Sequence, residues 1–331
     1  MMKEPGVISL LVGPDAVSHR ETTLTSNKMK TTSSAGWKFL VAGGLAFAVV
    51  SALRADEPPA VLALAALRGT LAQEQGWIKV HAGEVLTTQG EAAAVHAVYL
   101  QELAAHGDEP RYRWGIRRTL ALTSATPAER ARWIEPIAAA LIDPTTPDRV
   151  NALEGLGKLG PPHSAAVLDG AARWLPTASP EDGVFIHWLQ AQSGDSSAWP
   201  KIITQLDSPG LDARLRAAFV LRRVGTTDPA ALAALARVAD TEAADSTARA
   251  IIVGGAYLLR AAPARMADWR ATLDHIVATG APNDRYEALQ SLRTFYRPAD
   301  LPMLLALLKF PHGDVRTGAA WAILTVTGAG H

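Results

Sequence analysis

The sequence predicts an all-α fold, an α–α superhelix of about eight helix pairs stacked in a row. Three observations predict it. Ala, Leu, Arg and Glu dominate and are good helix formers, whereas strand-favouring runs of Val, Ile, Thr and Tyr are scarce. The chain has 331 residues, long for one ordinary globular core. A repeat array escapes that limit because each unit packs only on its neighbours. Finally, a short residue signature returns at intervals of 31 to 37 residues from Lys79 onward.

The N-terminus reads as a leader. Phe39 to Leu53 is an apolar run, FLVAGGLAFAVVSAL, short for a membrane-spanning helix, which needs roughly 20 residues. It suits the core of a secretory signal, with Lys30 and Lys38 before it and small residues at Ser51, Ala52 and Ala55 after it. Residues 29–55 are thus a signal peptide or an uncleaved N-terminal membrane anchor. Asp56-Glu57-Pro58-Pro59 then reads as a mature start. Residues 1–28 show no periodicity and are expected to be a disordered extension or to precede a true start at Met29. The region 59–331 is the helical array.

The repeat is visible by self-comparison. Arg149, Ala152, Leu156 and Gly160 match Arg214, Ala217, Leu221 and Gly225. The same frame holds Lys79, Ala82, Leu86 and Gly90, and returns at Arg285, Ala288 and Leu292. Its last copy is Arg316, Ala319, Ile323 and Gly328, and a weaker one runs through Arg113, Ile116 and Leu120. Degenerate copies end at Gly194 and lie near Thr247 to Leu259, which places anchors near 79, 113, 149, 183, 214, 248, 285 and 316. Offsets of three and seven share one helical face. The small residue admits a neighbouring helix, the aliphatic one fills the core, and the glycine ends the helix in a left-handed conformation.

A second set of helices lies between the anchors. Thr126-Pro127-Ala128-Glu129 is a capping box with proline at the first helical position, and Asp143-Pro144 ends that helix. Asp228-Pro229 opens another, and Pro302 to Leu308 gives a third. Pro59 to Leu71 is unusually apolar for an outermost repeat, which needs a polar face. It is either half a capping unit or a docking segment.

The stretches Asp212–Leu221 (DARLRAAFVL) and Asp314–Leu324 (DVRTGAAWAIL) resemble HEAT repeats, in particular the short bacterial type of phycobilisome-lyase-like proteins. Tetratricopeptide repeats share the period, but their Trp, Gly, Tyr and Pro positions do not recur. The resemblance implies a right-handed solenoid whose second helices line a concave surface. It also implies that the repeated Arg149, Arg214, Arg285 and Arg316 form a structural ladder with loop aspartates, for which Asp148, Asp212, Asp284 and Asp314 are placed. An anion-binding role for the arginines is the competing reading.

Few residues point to chemistry. Trp77, Trp114 and Trp188 fall on second helices, near Arg113, Arg117, Arg118 and His187. Trp and Arg together are what binding hot spots favour. Trp77, Arg113, Trp114, Arg117, His187 and Trp188 are therefore the candidate partner-binding residues, the alternative being that the tryptophans fill the repeat core. His81 and Glu84, with His96 and His106, lack the second histidine of a metalloprotease motif. There is no phosphate loop, serine elbow or metal triad, so no cofactor or metal is expected. Gly254-Gly255 is expected to allow close packing or a kink.

Composition narrows the function. The chain has no cysteine, which excludes disulfides and thiolate metal sites. The first 55 residues hold six of the 32 Lys/Arg and three of the 32 Asp/Glu, leaving the remainder about three charges negative. No nucleic acid is expected to bind such a body. The expectation is an exported, non-catalytic scaffold of the periplasm or cell envelope. It binds a protein or peptide on its concave face and meets the membrane only through an uncleaved leader. A lyase-type enzyme and a carbohydrate-binding surface are the alternatives.

Overall fold

The computed structural model describes residues 57–329; the leader and residues 1–28 lie outside them. The fold is an all-α superhelix of helix pairs, with no strand among the described residues. The first three pairs are α1 (Pro59–Gln73) with α2 (Gly76–Thr88), α3 (Ala92–His106) with α4 (Tyr112–Thr123), and α5 (Pro127–Ile142) with α6 (Arg149–Leu159). Next come α7 (Ala165–Trp174) with α8 (Pro180–Gln192) and α9 (Ala198–Thr204) with α10 (Leu211–Val224). The last three are α11 (Pro229–Thr241) with α12 (Arg249–Leu258), α13 (Met266–Thr279) with α14 (Pro282–Leu292), and α15 (Leu301–Leu307) with α16 (Gly313–Val326). All eight anchors fall on even-numbered helices, with the sixth at Arg249.

Local chemistry sets the ends. Thr126 Oγ1 accepts from the Glu129 N–H at 3.1 Å, and Glu129 Oε2 accepts from the Ala125 N–H at 2.9 Å. Asp228 caps α11 through the Ala230 N–H, with Pro229 in the first turn. At the other end, Gly90, Gly160, Gly194, Gly225 and Gly328 all have positive φ, as the repeated glycine requires. After Gly90, Gly194, Gly225 and Gly328 the next N–H turns back to an earlier carbonyl, for example Glu91 to Leu86 and Thr226 to Leu221.

Burial separates the two sets. Every residue from Asn151 to Leu159 in α6 and from Ala250 to Tyr257 in α12 is buried, whereas α3 buries only Val95 and Tyr99. Helices enclosed on all sides lie inside. The even-numbered helices therefore form an inner wall, each touching the next from α2 to α16, and the odd-numbered ones wrap it. Their N-terminal ends meet N-terminal ends, as in the Arg113–Asp148 pair, so the inner helices run parallel.

The row then closes. The helix α16 packs extensively on α1 and also on α2. Arg316 reaches Glu74 at 2.6 Å, His81 Nδ1 lies 2.8 Å from Asp314, and Gly313 sits against Ile78. The apolar start is thereby explained. Leu62, Ala63, Leu67 and Leu71 of α1 are buried, so α1 is an interface to the last repeat and not a solvent-facing cap.

The repeated arginine mainly staples each outer helix to its inner partner. Arg149 donates to the Leu141 carbonyl at 2.6 Å, Arg285 to Gly280 at 2.6 Å, and Arg249 to Glu242. Arg214 and Arg316 reach the Ser208 and Phe310 carbonyls. Cations suit these carbonyl-rich ends. Two of the ladder arginines and the weaker anchor Arg113 also bind an acid in the turn of the following unit: Arg214 takes Glu242, Arg316 takes Glu74 of the first unit, and Arg113 takes Asp148. None of the four expected aspartates pairs with Arg149, Arg214, Arg285 or Arg316; Asp148 instead meets Arg113 of the preceding unit. Asp314 turns to His81, and Asp212 and Asp284 make no such pair.

Glycines on inner helices mark close approaches. A Cβ on Gly157 would lie 2.4 Å from the Trp188 ring, whereas one on Gly155 would meet only Ile137 at 3.7 Å. Gly157→Ala is expected to destabilise by about 1–3 kcal/mol through overpacking. Gly155→Ala is expected to be neutral or to stabilise by up to about 1 kcal/mol through helix propensity. Equilibrium unfolding of the two variants in urea checks the difference.

Candidate functional site

Four of the aromatic and arginine candidates gather where α3 turns into α4. Trp77 on α2 packs against Gly115 of α4. The Arg113 and Arg117 guanidiniums lie 4.3 and 5.6 Å from the Trp114 ring centre, and Arg118 lies 5.4 Å from that of Trp77. His187 and Trp188 are elsewhere, on α8. Trp114 is 5% exposed and Trp188 only 1%, so neither offers a ring face to a partner. Trp188 instead packs on Phe185 and Phe219 in the core, with ring centres 6.1 and 6.0 Å away. His187 bonds Gln190 on its own helix at 2.9 Å.

What remains open at the α3–α4 turn is of mixed polarity. A cavity of about 450 Å³ is lined by Leu103 to Glu109 and by Arg117, which donates to the Gly107 carbonyl at 3.0 Å. His106 bonds Glu109 at 2.6 Å. Two residues after Glu109 the exposed Arg111 has φ +65°, a conformation that side chains rarely adopt. Asp148 holds it there, taking the Arg111 N–H at 2.6 Å while its two oxygens clasp Arg113 at 2.5 and 3.1 Å. Burial pushes the Asp148 carboxyl upward, but these donors outweigh it and hold it below the usual carboxylate range.

The inner wall carries a second polar cluster that repeat reading missed. Glu84 pairs with Arg118 at 2.7 Å, Glu154 with Lys158 at 2.6 Å, and Glu287 with Arg222 at 2.6 Å. All six residues are buried. Arg222 also donates to Ser291 at 3.0 Å, where a Cβ on Gly254 would intrude. Arg223 reaches the Lys158 carbonyl at 3.0 Å, from α10 past α8 to α6. Glu84, Arg118 and Glu154 stand five places after their anchors, a register occupied further on by Trp188, Phe219, Gly254, Gln290 and Trp321. Extending the alignment to that offset would have found the inward face. The histidines disperse: His81 stacks on Tyr286 at 4.8 Å beside Asp314, and His96 meets Thr123 and Glu129. No group of three or more metal-ligating side chains occurs among the described residues. No helix among them is long and apolar enough to cross a membrane.

Burial pulls the Lys158 ammonium down to about 8 from an ordinary 10.5, with Glu154 opposing the shift. Between those values the unfolded chain binds more proton than the folded one, so this group makes stability rise with pH. Relative to Lys158→Met, the wild type is expected to gain stability between pH 8 and pH 9.5. Denaturant unfolding at the two pH values tests this; a difference between the proteins that is independent of pH contradicts it.

Compared with protein families, curated proteins and solved structures, the chain matches none.

Proposed function

We propose that this chain is an exported, non-catalytic HEAT-like module that binds a protein or peptide partner at the turn between α3 and α4. One observation carries the reading: an exposed arginine, Arg111, is kept at a strained positive φ in the tight turn two residues after Glu109, which lines an open cavity. Such strain costs of order 1–3 kcal/mol and persists where the surroundings over-determine it, often at binding sites. Here Asp148 supplies the restraint. The cavity presents both signs of charge, His106, Asp108, Glu109 and Arg117, which suits a polar peptide segment. Carbohydrate stacking on the tryptophans has less support, because Arg113 and Arg117 lie over the Trp114 ring. The leader at 39–53 supports export to the periplasm or cell envelope.

Affinity capture from cell-envelope extracts, with wild type and Arg117→Glu as baits, tests the reading. The same protein should be recovered with wild type and lost at least tenfold with the variant, while the circular dichroism spectra stay alike. Equal recovery by both baits, or no specific recovery by wild type, rules this surface out.

A further inference from the structure

One sector of the outer surface is almost free of charge. It is formed by α15, α1 and α3, the outer helices of the last, first and second pairs. Closure of the row brings α15 against α1, and the exposed Arg68 of α1 binds Glu91, next to the start of α3, at 2.6 Å. Arg68 is the one charged residue that these three helices expose, and it has its counter-charge. By contrast, α5, α7, α11 and α13 each expose an acid, Glu135, Asp169, Asp240 and Asp268.

The same sector carries the most exposed large apolar side chains among the described residues. Val61 on α1, Leu100 on α3 and Met303 on α15 are 48, 44 and 39% exposed. Ala93, Ala97 and Ala104 share the outward side of α3 with Leu100, because positions three and four apart lie on one helical face. The helices α1 and α3 are thus apolar on the side that packs inward and on the side that faces out. A helix apolar all round is ordinarily enclosed, and a contiguous exposed apolar patch marks a partner or a membrane.

The chain before α1 selects the membrane. The apolar run ends at Leu53, and α1 begins at Pro59. Six residues reach roughly 20 Å at full extension, so a leader kept in a bilayer holds the start of α1 at the lipid surface. Val61 is the third residue of that helix. Lys309, exposed just beyond α15, suits phosphate headgroups. No helix among the described residues is long and apolar enough to cross a membrane, so the contact is one of lying on the surface.

We propose that the outer face of α15, α1 and α3 rests on a lipid bilayer, with Val61, Leu100 and Met303 at the boundary between headgroups and acyl chains. This rests on the leader reading above, in the form in which the leader is retained, and is separate from partner binding at the α3–α4 turn.

The absence of cysteine allows one environment-sensitive fluorophore to be placed at a time. Leu100→Cys and Met303→Cys report on the sector, and Ala233→Cys on the exposed side of α11 is the control. Each labelled full chain is mixed with phosphatidylcholine vesicles, recovered by flotation, and compared on lipid brominated in its acyl chains. At 100 and 303 the vesicles should shift the emission to the blue, and brominated lipid should remove roughly half of it, as burial by about 5–10 Å requires. At 233 neither should occur. If the chain floats but 100 and 303 behave like 233, the proposal is overturned and the leader reading stands. If the chain does not float, retention of the leader in the bilayer falls and the proposal with it. A blue shift at 100 and 303 without vesicles, growing with protein concentration, assigns the face to a second copy of the chain and also overturns the proposal.

Discussion

An array of helix pairs ends at each terminus in a helix face that no further repeat covers. In this chain the two exposed faces cover each other. The helix α1, whose apolar side chains would make a poor outer cap, lies on α16, and Arg316 binds Glu74 as Arg113 binds Asp148 one unit on. The seam between the last unit and the first thereby uses the same kind of ion pair as two junctions within the row. Closure turns the second helices of every pair inward on one another. Among the described residues the inner helices are largely buried, α6 and α12 most completely.

Closure also orders the charges. Parallel inner helices direct their partially positive N-termini to one end and their partially negative C-termini to the other. The buried acids Asp148 and Asp314 lie near the first end, and the buried or half-buried bases Arg222, Arg223 and Arg293 near the second. Each favourable placement at a helix end contributes about 0.3–1 kcal/mol, more where partly buried. The middle pairs, Glu84 with Arg118 and Glu154 with Lys158, are fully enclosed, and apolar replacements could match their stability. Their contribution is to register: a helix shifted by one position would strand a buried charge.

The helix pairs were legible because their determinants are local. Offsets of three, seven and eleven fix an inner face and a left-handed stop, and these hold at Gly90, Gly160 and Gly225. The sixth anchor is one residue off because the frame from Arg249 meets Ile252, Ala256 and Arg260 where clear copies have a small residue, an aliphatic one and glycine. Closure was not legible, since a periodic pattern reads the same in an open or a closed row; the apolar α1 was its one trace. The inward charges escaped because that register changes chemistry from unit to unit, from Glu84 and Arg118 to Trp188 and Gly254. Trp114 and Trp188 were conspicuous by type, but the close packing of Trp188 depends on a glycine across the interface, Gly157. Arg111 and Arg260 carried no sequence signal beyond standing where a turn needs a left-handed residue.

The seam between α1 and α16 is the point on which this description turns, and the absence of cysteine allows two spin labels to be placed there alone. Labels on cysteines introduced at the exposed Gln73 and Pro311, read by pulsed electron paramagnetic resonance, report the distance across it directly. A closed ring predicts one narrow distribution centred below about 30 Å, since the two sites then lie on adjacent helix pairs about 9 Å apart and the labels add their own length. An open row of eight pairs would separate them by roughly 60 Å, seven steps of about 9 Å. A distribution centred near that value would contradict closure and, with it, the ordering of charge along the inner wall.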